Sequence, residues 1–503
     1  MSLFYLSCLT QIEPLDGSVL NRRHVTIQWE LQTDLVKLEL GNASLDFPFE
    51  DPIKSLVVSD TNTILLAEGL DWGQQYVWRV RDESKKKPGP WSQERIFDIK
   101  SVPEEIDLEV STFGGVSDGI TVFNFCNYIL GYGPDTTLIW FVEADNNLTD
   151  IVPTKDGSYL YVSDNQAFKV DIDGNIIWSS LESASTRVHH AAIELPNGDV
   201  LALCRDRQTH VWNGESRSWL GDKIVRFEST SGNPIWTWSV FDHFSFEDVD
   251  EFASNPWNDW THGNGLAFDE ESNLLVVSFR QISRLSGIDI VTGENLWNIG
   301  FDLPSGDCPI GDNLFSFQHA PQFIGDNKIL IFDNGNRRDH QSWLPNNPEA
   351  YSRAVELELD DLRNPSVVNE GWSYNFSYCP SMGDADRLDN GLTLIAATRQ
   401  NAIYEVSTNG SLLKTWNLNQ PTNCGSSSAP AYAAERIPYI EIQPNTSSCT
   451  GDLDLSGSVD SIDLLNLISY LGTSNESADL NEDSIVNIFD LLSLVSNFGD
   501  CED

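Results

Sequence analysis

The sequence predicts a mainly β protein with three parts: an N-terminal β-sandwich, a central six-bladed β-propeller and a small C-terminal α-helical calcium-binding module. Three observations lead to this fold class. Short runs of alternating apolar and polar residues fill positions 10–102, a β-rich unit recurs within 105–440, and helical periodicity follows acidic loops within 450–503. A chain of 503 residues also exceeds the roughly 250–300 residues that one hydrophobic core accommodates.

The N-terminal part shows the two-residue period of strands with one buried face. The segment HVTIQWEL places Val25, Ile27 and Trp29 on one face, and QYVWRVRD repeats the pattern. Turn residues separate the runs, and PGPWS precedes a last short run, RIFDI. Short strands at regular spacing predict a β-sandwich. The positions of Trp29, YVWRVRD and GPWS resemble those of a fibronectin type III domain.

The central part repeats one unit. Its cleanest copy, DGSYLYVSDNQAFKVDIDGNIIW, has Asp-Gly, a β run, a turn, a second β run, a glycine and a run that ends in Trp. The last copy is NGLTLIAATRQNAIYEVSTNGSLLKTW, and a degenerate first unit near ITVFNFCNYILGY brings the number to about six. Four-stranded units at periods of roughly 40–70 residues predict a propeller, whose rim loops carry the chemistry.

The chain is strongly acidic. Its 76 acidic and 30 basic residues give a formal net charge of −46. Nucleic acids and anionic membranes are bound through clustered Lys and Arg, so this charge argues against both as partners. No segment approaches the roughly 20 consecutive apolar residues of a membrane-spanning helix. We therefore expect no nucleic acid partner and no membrane span.

Eight cysteines, an even number, favour an oxidising compartment. Cys449 and Cys501 flank the C-terminal module and predict one disulfide. The pairing stays open among Cys126, Cys204, Cys308, Cys379 and Cys424. Together with the domain types, this pattern predicts a protein that is secreted, periplasmic or at the cell surface.

Two acidic loops in the C-terminal part have the oxygen spacing that calcium prefers. The first, DLDLSGSVDSID, offers Asp452, Asp454, Ser456, the carbonyl of Ser458, Asp460 and Asp463. The second, DLNEDSIVNIFD, offers Asp479, Asn481, Asp483, the carbonyl of Ile485, Asn487 and Asp490. Because each loop is followed by a helix-period segment, the pair resembles a type I dockerin. This resemblance implies two calcium ions and a cohesin-like protein partner; we expect no organic cofactor.

Several of the chain's eight histidines fall in an ordered series of motifs within the repeats. In chain order the motifs are RVHHAAIELP, DWTHGNGLAFD, VSFRQISRL, FSFQHAPQF and GDADRLDNGLTLI. The series, over roughly residues 120–420, resembles the arylsulfate sulfotransferase family. That family is a six-bladed propeller that moves a sulfuryl group between phenols through a sulfohistidine.

The resemblance implies a role for each matched residue. His319, in the QH pair, becomes the nucleophile. The other implied catalytic residues are His262, Asn264, Arg280 and His190, and the implied substrate-binding residues are His189 and Thr398.

These residue types suit sulfuryl transfer, which should resemble phosphoryl transfer with its loose transition state and its charge on the peripheral oxygens. A neutral imidazole can form the covalent adduct, and an Arg fork can hold two sulfuryl oxygens. A second histidine can move the phenolic proton. The sequence therefore predicts an enzyme, an arylsulfate sulfotransferase that uses an aryl sulfate donor and a phenolic acceptor.

The sequence departs from the family pattern in two ways. Ala191 and Ala320 follow the HH and QH histidines where the family has Asp. The family's hydroxyl residue in the last blade has only Thr398, beside Arg399, as a counterpart. Two other functions therefore stay open: a non-catalytic, calcium-dependent adhesion or assembly module, and a sulfate-ester hydrolase with water as the acceptor.

Overall fold

A computed structural model describes most of the chain. The described residues are 11–30, 33, 35–59, 61–66, 68–106, 108–114, 119–144, 148–250, 255–337, 350–418, 431–437, 458–459, 464, 467–468, 470–471, 478, 480, 485–496 and 499–500. The chain divides into two compact units, one of residues 103–439 and one of residues 1–102 together with 440–503. Among the described residues, no helix has both the length and the apolar character needed to cross a bilayer.

The N-terminal region contains two β-sheets. Its strands are β1 (Gln11–Glu13), β2 (Ser18–Leu20), β3 (Val25–Trp29), β4 (Leu35–Asn42), β5 (Lys54–Ser59), β6 (Thr63–Leu66), β7 (Gln75–Asp82) and β8 (Arg95–Ile99). One sheet has the order β1-β3-β6 and the other β2-β8-β7-β4-β5. A shared core that includes Val25, Ile27, Trp29 and Trp78 lies between them, so the alternating faces read from the sequence are the buried faces.

The central unit contains 25 strands in its described residues. They are β9 (Glu109–Thr112), β10 (Ile120–Phe125), β11 (Tyr128–Tyr132), β12 (Leu138–Glu143), β13 (Thr149–Pro153), β14 (Tyr159–Ser163), β15 (Gln166–Val170), β16 (Ile176–Ser179), β17 (Val188–Glu194), β18 (Val200–Trp212), β19 (Glu215–Phe227), β20 (Pro234–Ser239), β21 (Gly263–Asp269), β22 (Leu274–Phe279), β23 (Arg284–Asp289), β24 (Asn295–Gly300), β25 (His319–Phe323), β26 (Lys328–Asp333), β27 (Tyr351–Leu359), β28 (Val368–Ser377), β29 (Asp384–Arg387), β30 (Thr393–Ala397), β31 (Ala402–Val406), β32 (Leu412–Asn417) and β33 (Ala434–Ile437). Short 3₁₀ turns lie at Val240–Asp242, Pro256–Asn258 and Thr398–Gln400.

These strands form a closed ring of blades. Four sheets follow the chain directly, namely β13 to β16, β17 to β20, β21 to β24 and β25 to β28, and a fifth joins β29 to β32 with β9. The sixth sheet pairs β33, from the end of the unit, with β10, from its beginning. The inner strands β13, β17, β21, β25, β29 and β33 neighbour one another in turn, and β33 neighbours β13 again. The mainly β, propeller prediction is therefore confirmed.

The inner strands are irregular near their first residues. The pairing register shifts between Val188 and Ala192 in β17 and between His319 and Gln322 in β25. Within these stretches His190 has a φ of 60° and Ala320 a φ of 45°. Such left-handed values are uncommon for residues other than glycine, and bulges of this kind redirect side chains. At the first residues of these inner strands, side chains therefore point in directions that regular strand pairing would not give them.

The C-terminal module is described in part. It contains β34 (Ser458–Val459), paired antiparallel with β35 (Gly499–Asp500), and helix α1 (Ile488–Ser496). Its core joins Val459, Leu467, Ala478, Val486 and Leu494. Val459 and Val486 occupy the same position in the two predicted calcium loops, which indicates that both repeats contribute equivalent side chains to one core.

Several predicted features of this module lie outside the described residues. They are the Cys449–Cys501 disulfide and the calcium ligands Asp452, Asp454, Ser456, Asp460, Asp463, Asp479, Asn481 and Asp483. Of the remaining ligands, Asp490 is fully buried at the first turn of α1, and its Oδ2 accepts the backbone N–H of Asn487 at 2.7 Å.

The propeller cysteines differ in state. Cys204, Cys308 and Cys379 are buried free thiols, so disulfide pairing does not extend to these three. Cys126 is disulfide-bonded. Burial raises the pKa of the Cys204 thiol to about 12, which keeps it in the unreactive protonated form.

Candidate active site

Three histidines meet beside the starts of the inner strands. The ring centroids of His190, in β17, and His262, just before β21, lie 4.7 Å apart. His319 is the first residue of β25. The ring of Tyr432, in the segment before β33, has its centroid 6.2 Å from that of His190 and 6.4 Å from that of His319. Closure of the ring thus gathers side chains from three consecutive blades and the last inner strand into one cluster.

Asn334, which follows β26, holds His319 in one tautomer. Nδ1 of His319 lies 2.7 Å from Oδ1 of Asn334. The amide nitrogen of Asn334 donates to the carbonyls of Cys379 and Met382 at 2.7 and 2.9 Å. Turning the amide around would lose both bonds, so its oxygen faces the imidazole and accepts. Nδ1 therefore carries the proton, and Nε2 keeps its lone pair.

The surroundings of His319 keep its imidazole neutral. Burial lowers the pKa of His319 well below 6.5, and the positive charge of Arg280 lowers it further, although the hydrogen bond with Asn334 acts in the opposite direction. Only 2% of the residue is exposed. At pH 7 the ring is thus in its nucleophilic form.

A carboxylate contact and a hydrogen bond, both made by His189, favour one tautomer of His190. Nε2 of His189 lies 3.1 Å from Oδ1 of Asp222, and Nδ1 of His189 lies 2.8 Å from Nδ1 of His190. The ionised carboxylate of Asp222 favours a proton on Nε2 of His189, which leaves Nδ1 of His189 to accept from His190. Nε2 of His190 is left with a free lone pair. Burial and then the neighbouring His262 lower the pKa of His190 well below 6.5, so it too is neutral at pH 7.

His262 has a carboxylate behind its ring. Nδ1 of His262 lies 2.6 Å from Oδ2 of Asp259, three residues earlier. The backbone around it is anchored by Asp222, which accepts the N–H of Gly263 at 2.7 Å and the hydroxyl of Thr261. A carboxylate in this position orients the imidazole and stabilises the imidazolium that forms when Nε2 takes up a proton. His262 is therefore equipped to carry a proton to and from a substrate.

Arg280 supplies the positive charge of the cluster. Its backbone N–H donates to the carbonyl of His262 at 3.0 Å, and its guanidinium lies 4.6 Å from the ring centroid of Phe317 and donates to the carbonyl of Pro380. In the part of the chain that the structure describes, no carboxylate forms a salt bridge with Arg280. By contrast, Arg284 is fully buried against Asp248. Arg280 therefore has donors to spare for an anionic ligand.

Asn264 supports the backbone that carries His319. Its amide nitrogen donates to the carbonyl of Gln318 at 2.8 Å, and Ser278 donates to the same carbonyl at 3.1 Å. The side chain of Gln318 in turn donates to the carbonyl of Arg284 at 3.0 Å. These bonds fix the residue directly before the nucleophile candidate, so Asn264 contacts the segment rather than the imidazole.

Thr398 lies in the 3₁₀ turn after β30 and is fully buried. Its hydroxyl lies 3.5 Å from the carbonyl of Ala396, within its own turn. The adjacent Arg399 donates its Nε to the hydroxyl of Ser381 at 2.9 Å. Of the residues that the resemblance implies, His189, His190, His262 and Arg280 contact one another. Asn264 bonds the residue before His319, whereas the hydroxyl of Thr398 lies near the carbonyl of Ala396 in its own segment.

Four further residues of the site were not predicted from the sequence. They are Tyr432, Asn334, Asp259 and Asp222. Asp259 carries a sequence signal, because it stands three residues before His262 in DWTH. Tyr432 carries no such sequence signal, since only closure of the ring of blades brings it to the histidines.

The cluster does not have the arrangement of a metal centre. Within the described ranges, no group of three or more His, Cys, Asp or Glu side chains is placed so that it could hold a metal ion. The histidines instead bond to Asn334, Asp259 and, through His189, to Asp222. These partners leave ring nitrogens free for an organic substrate.

The fold and the cluster define a class of protein: a six-bladed propeller with clustered histidines and an available arginine beside its central channel. The sequence model of the arylsulfotransferase (ASST) family matches residues 121–415, and the chain belongs to that family. The type I dockerin domain model matches residues 450–498. The resemblances to the arylsulfate sulfotransferase family and to a type I dockerin are thereby confirmed. No curated protein matches the chain significantly.

Solved structures with similar folds are distant. A protein of unknown function from Bacteroides caccae is 12% identical with a TM-score of 0.40, covering 63% of this chain and 98% of its own. Virginiamycin B lyase from Staphylococcus aureus is 10% identical with a TM-score of 0.33, covering 61% and 88%. A β-propeller domain from Myceliophteria thermophila is 10% identical with a TM-score of 0.34, covering 61% and 89%. At these values the similarities carry no argument about activity.

Proposed function

We propose that this protein moves a sulfuryl group from an aryl sulfate ester to a phenolic acceptor through a sulfohistidine on His319. The observation that carries the proposal is the Asn334–His319 hydrogen bond of 2.7 Å. It keeps the proton on Nδ1 and leaves Nε2 as a neutral, buried nucleophile. A protein that only bound other proteins through this face would have no need for that tautomer.

In the first half-reaction, Nε2 of His319 attacks the sulfur of the donor. The N–S bond forms while the bond between sulfur and the phenolic oxygen breaks, and its electron pair leaves on that oxygen. His262 delivers a proton to the leaving oxygen from Nε2, and Asp259 stabilises its imidazolium before transfer. The second half-reaction runs in reverse: His262 takes the proton of the acceptor phenol, whose oxygen attacks the sulfur.

Arg280 stabilises the charge on the sulfuryl oxygens during both steps. Its guanidinium has donors beyond the one used by the carbonyl of Pro380, and it influences the charge of His319 directly. In a buried site such preorganised donors act more strongly than in water. His190, whose ring centroid lies 4.7 Å from that of His262, holds His262 in place for this proton transfer, and His189 positions His190.

The experiment is a transfer assay with a nitrophenyl sulfate donor and a phenol acceptor. Wild-type protein should release nitrophenol only when acceptor is present, and His319→Ala should lose at least about 10³-fold of that rate. The matched control is His243→Gln, since His243 stacks on Trp238 at 4.4 Å outside the cluster. A wild-type rate equal to that of His319→Ala would refute the proposal.

The same assay separates the two alternative functions. Release of nitrophenol without acceptor, at an unchanged rate, would identify a sulfate-ester hydrolase. The absence of a sulfur adduct on His319 by mass spectrometry after mixing with donor alone, together with no turnover, would indicate the non-catalytic assembly module.

We also propose that the dockerin domain binds two calcium ions and a cohesin-like partner outside the cell, with residues 10–102 as a fibronectin type III-like spacer. The described end of the second loop fits a hard cation, because the buried carboxylate of Asp490, the amide of Asn487 and the carbonyl of Ile485 lie together. These groups would act as oxygen ligands. Calorimetric titration of calcium should give two sites per chain, and Asp490→Ala should remove one of them.

A further inference from the structure

A cavity of about 250 Å³ adjoins the histidine cluster inside the propeller. Asn264 and Tyr432, which belong to the cluster, also line this cavity. Its remaining polar lining consists of Gln322 and four acids, Asp150, Asp384, Asp386 and Glu435. A second cavity, of about 580 Å³, shares Gln322, Asp386 and Glu435 with the first, so the two are connected through these side chains.

The acids of this cavity have no cationic partner among the described residues. Arg387 and Arg436, the next residues after Asp386 and Glu435, do not line this cavity; they line the second one and pair with other acids. Arg387 pairs with Glu356 at 2.7 Å, and Arg436 pairs with Glu405. Backbone N–H groups supply the bonds that Asp150 and Asp384 accept, from Ala192 and Ala434 respectively. The cavity therefore gathers four carboxyl groups without a cation to balance those that ionise.

Burial of these groups leaves three atoms of the lining without a hydrogen-bond partner in the described structure. They are Oδ2 of Asp386, Oδ1 of Asn264 and the hydroxyl of Tyr432. Their residues are 7%, 2% and 7% exposed, so solvent at the surface does not reach them. Oδ1 of Asn264 is an acceptor only, Oδ2 of Asp386 accepts when its carboxyl is ionised, and the hydroxyl of Tyr432 can accept as well. A ligand that satisfies them must donate hydrogen bonds.

The charge balance favours a cation over a neutral donor. Burial, followed by the charge of Asp384, raises the pKa of Asp150 to about 7, and burial raises that of Asp384 to about 6. Asp386 and Glu435 hydrogen-bond to each other, which requires that one of them hold a proton. A bound cation would replace that proton and offset the mutual repulsion of the carboxylates.

The volume of the cavity and the charges at its two ends indicate which class of cation fits. Ala191 and Ala320, which stand where the family resemblance expects Asp, both line the cavity, and their methyl groups leave it open. Within the described ranges no acidic group is arranged to hold a metal ion, whereas 250 Å³ accommodates an alkylammonium group. The positive charge of Arg280 acts on Tyr432 as well, and it lowers the pKa of that hydroxyl, which burial raises. A molecule with an anionic sulfate at Arg280 and an ammonium among the acids would match both ends.

We propose that this cavity binds a protonated primary amine, with Asp386 and Glu435 as its principal acceptors. The amine is either a separate small ammonium ion or the ammonium arm of the phenol that accepts the sulfuryl group. The case in which the amine is the arm of the phenol rests on the proposed sulfotransferase activity. Binding of a separate ammonium ion does not. Selection of cationic phenols would also explain how a chain of net charge −46 attracts its substrate.

Binding is measured first without any sulfate ester. Benzylammonium and its neutral counterpart benzyl alcohol are titrated into the full-length protein by calorimetry at pH 7.5. Benzylammonium should bind at least about 10-fold more tightly, the factor that corresponds to one charge-assisted hydrogen bond. Asp386→Asn and Glu435→Gln should each remove this preference. Asp173→Asn removes the same charge at an exposed turn and should preserve it.

The source of the amine is then tested by turnover. If it is the acceptor's own arm, 4-(aminomethyl)phenol should exceed 4-(hydroxymethyl)phenol in kcat/KM by about 10-fold, and Asp386→Asn should equalise them. If the two phenols have equal kcat/KM while benzylammonium still binds, the amine is a separate ammonium ligand. If wild-type protein does not distinguish benzylammonium from benzyl alcohol, or binds calcium in this cavity instead, the proposal is wrong. Loss of turnover with retained amine binding would contradict only the proposed function.

Discussion

The amide oxygen of Asn334 lies 2.7 Å from Nδ1 of His319, and the amide nitrogen of Asn334 is held by two carbonyls. An imidazole without an adjacent carboxylate can thus still be fixed in one tautomer. The family resemblance places an Asp directly after this histidine, where this chain has Ala320. The structure shows that the orienting group comes from the neighbouring strand end instead.

The first prediction concerns this hydrogen bond. Replacing Asn334 by Ala frees the His319 ring to rotate and to populate the tautomer with the proton on Nε2, which cannot attack sulfur. We expect kcat for sulfuryl transfer to fall about 10–100-fold, as for other residues that orient a reacting histidine. The measurement is kcat and KM with a nitrophenyl sulfate. An unchanged kcat in a folded variant would show that Asn334 has no positioning role.

The second prediction concerns pH. Burial and the charge of Arg280 lower the pKa of His319 well below 6.5, so its nucleophilic form persists as the pH falls through 6.5. The rise of kcat/KM with pH should therefore have its His319-dependent midpoint below 6.5. Asn334→Asp keeps an acceptor on Nδ1 but adds a negative charge, which stabilises the imidazolium, so its midpoint should move upward. Coincident profiles for the two proteins would contradict this account.

The repeat predicted the blades, and the family resemblance predicted most of the cluster. The repeat fixes where each inner strand begins, and His190, His262 and His319 stand at or next to such beginnings. For these three histidines, the position in the repeat therefore indicates the position around the channel.

The sequence could not predict Tyr432 or the acidic cavity in the same way. Tyr432 reaches His319 because β33 pairs with β10 from the other end of the unit, and no local pattern encodes that closure. Asp150, Asp386 and Glu435 lie on three different blades and look like ordinary polar positions of alternating strands. The left-handed backbone at Asp150 and His190, which redirects side chains, is likewise absent from the sequence pattern.

The third prediction tests Arg280. A lysine keeps the charge but loses the planar fork that can hold two sulfuryl oxygens at once. We expect Arg280→Lys to lower kcat/KM for the sulfate donor by about 10²-fold, and Arg280→Met by more. Arg363→Lys is the matched control, since Arg363 pairs with Asp289 on an outer strand. Equal losses in Arg280→Lys and Arg363→Lys would mean that the effect is one of folding.

The last prediction concerns the stability of the propeller. The folded-state pKa of Asp150 is raised to about 7 and that of Asp384 to about 6, whereas an unfolded Asp titrates near about 3.9. Between these values the folded state binds more protons than the unfolded state, so its stability falls as the pH rises from about 4 to about 7.

Replacing Asp386 by Asn removes one repelling charge from this cluster. Its melting temperature, followed by calorimetry in the absence of amines, should exceed that of the wild type by about 2 °C or more at pH 8. At pH 5, where the cluster holds its protons, the difference should vanish. Asp173→Asn, at an exposed turn, reports the effect of net charge alone. If both variants shift the melting temperature equally at both pH values, the repulsion among the channel carboxylates does not limit stability.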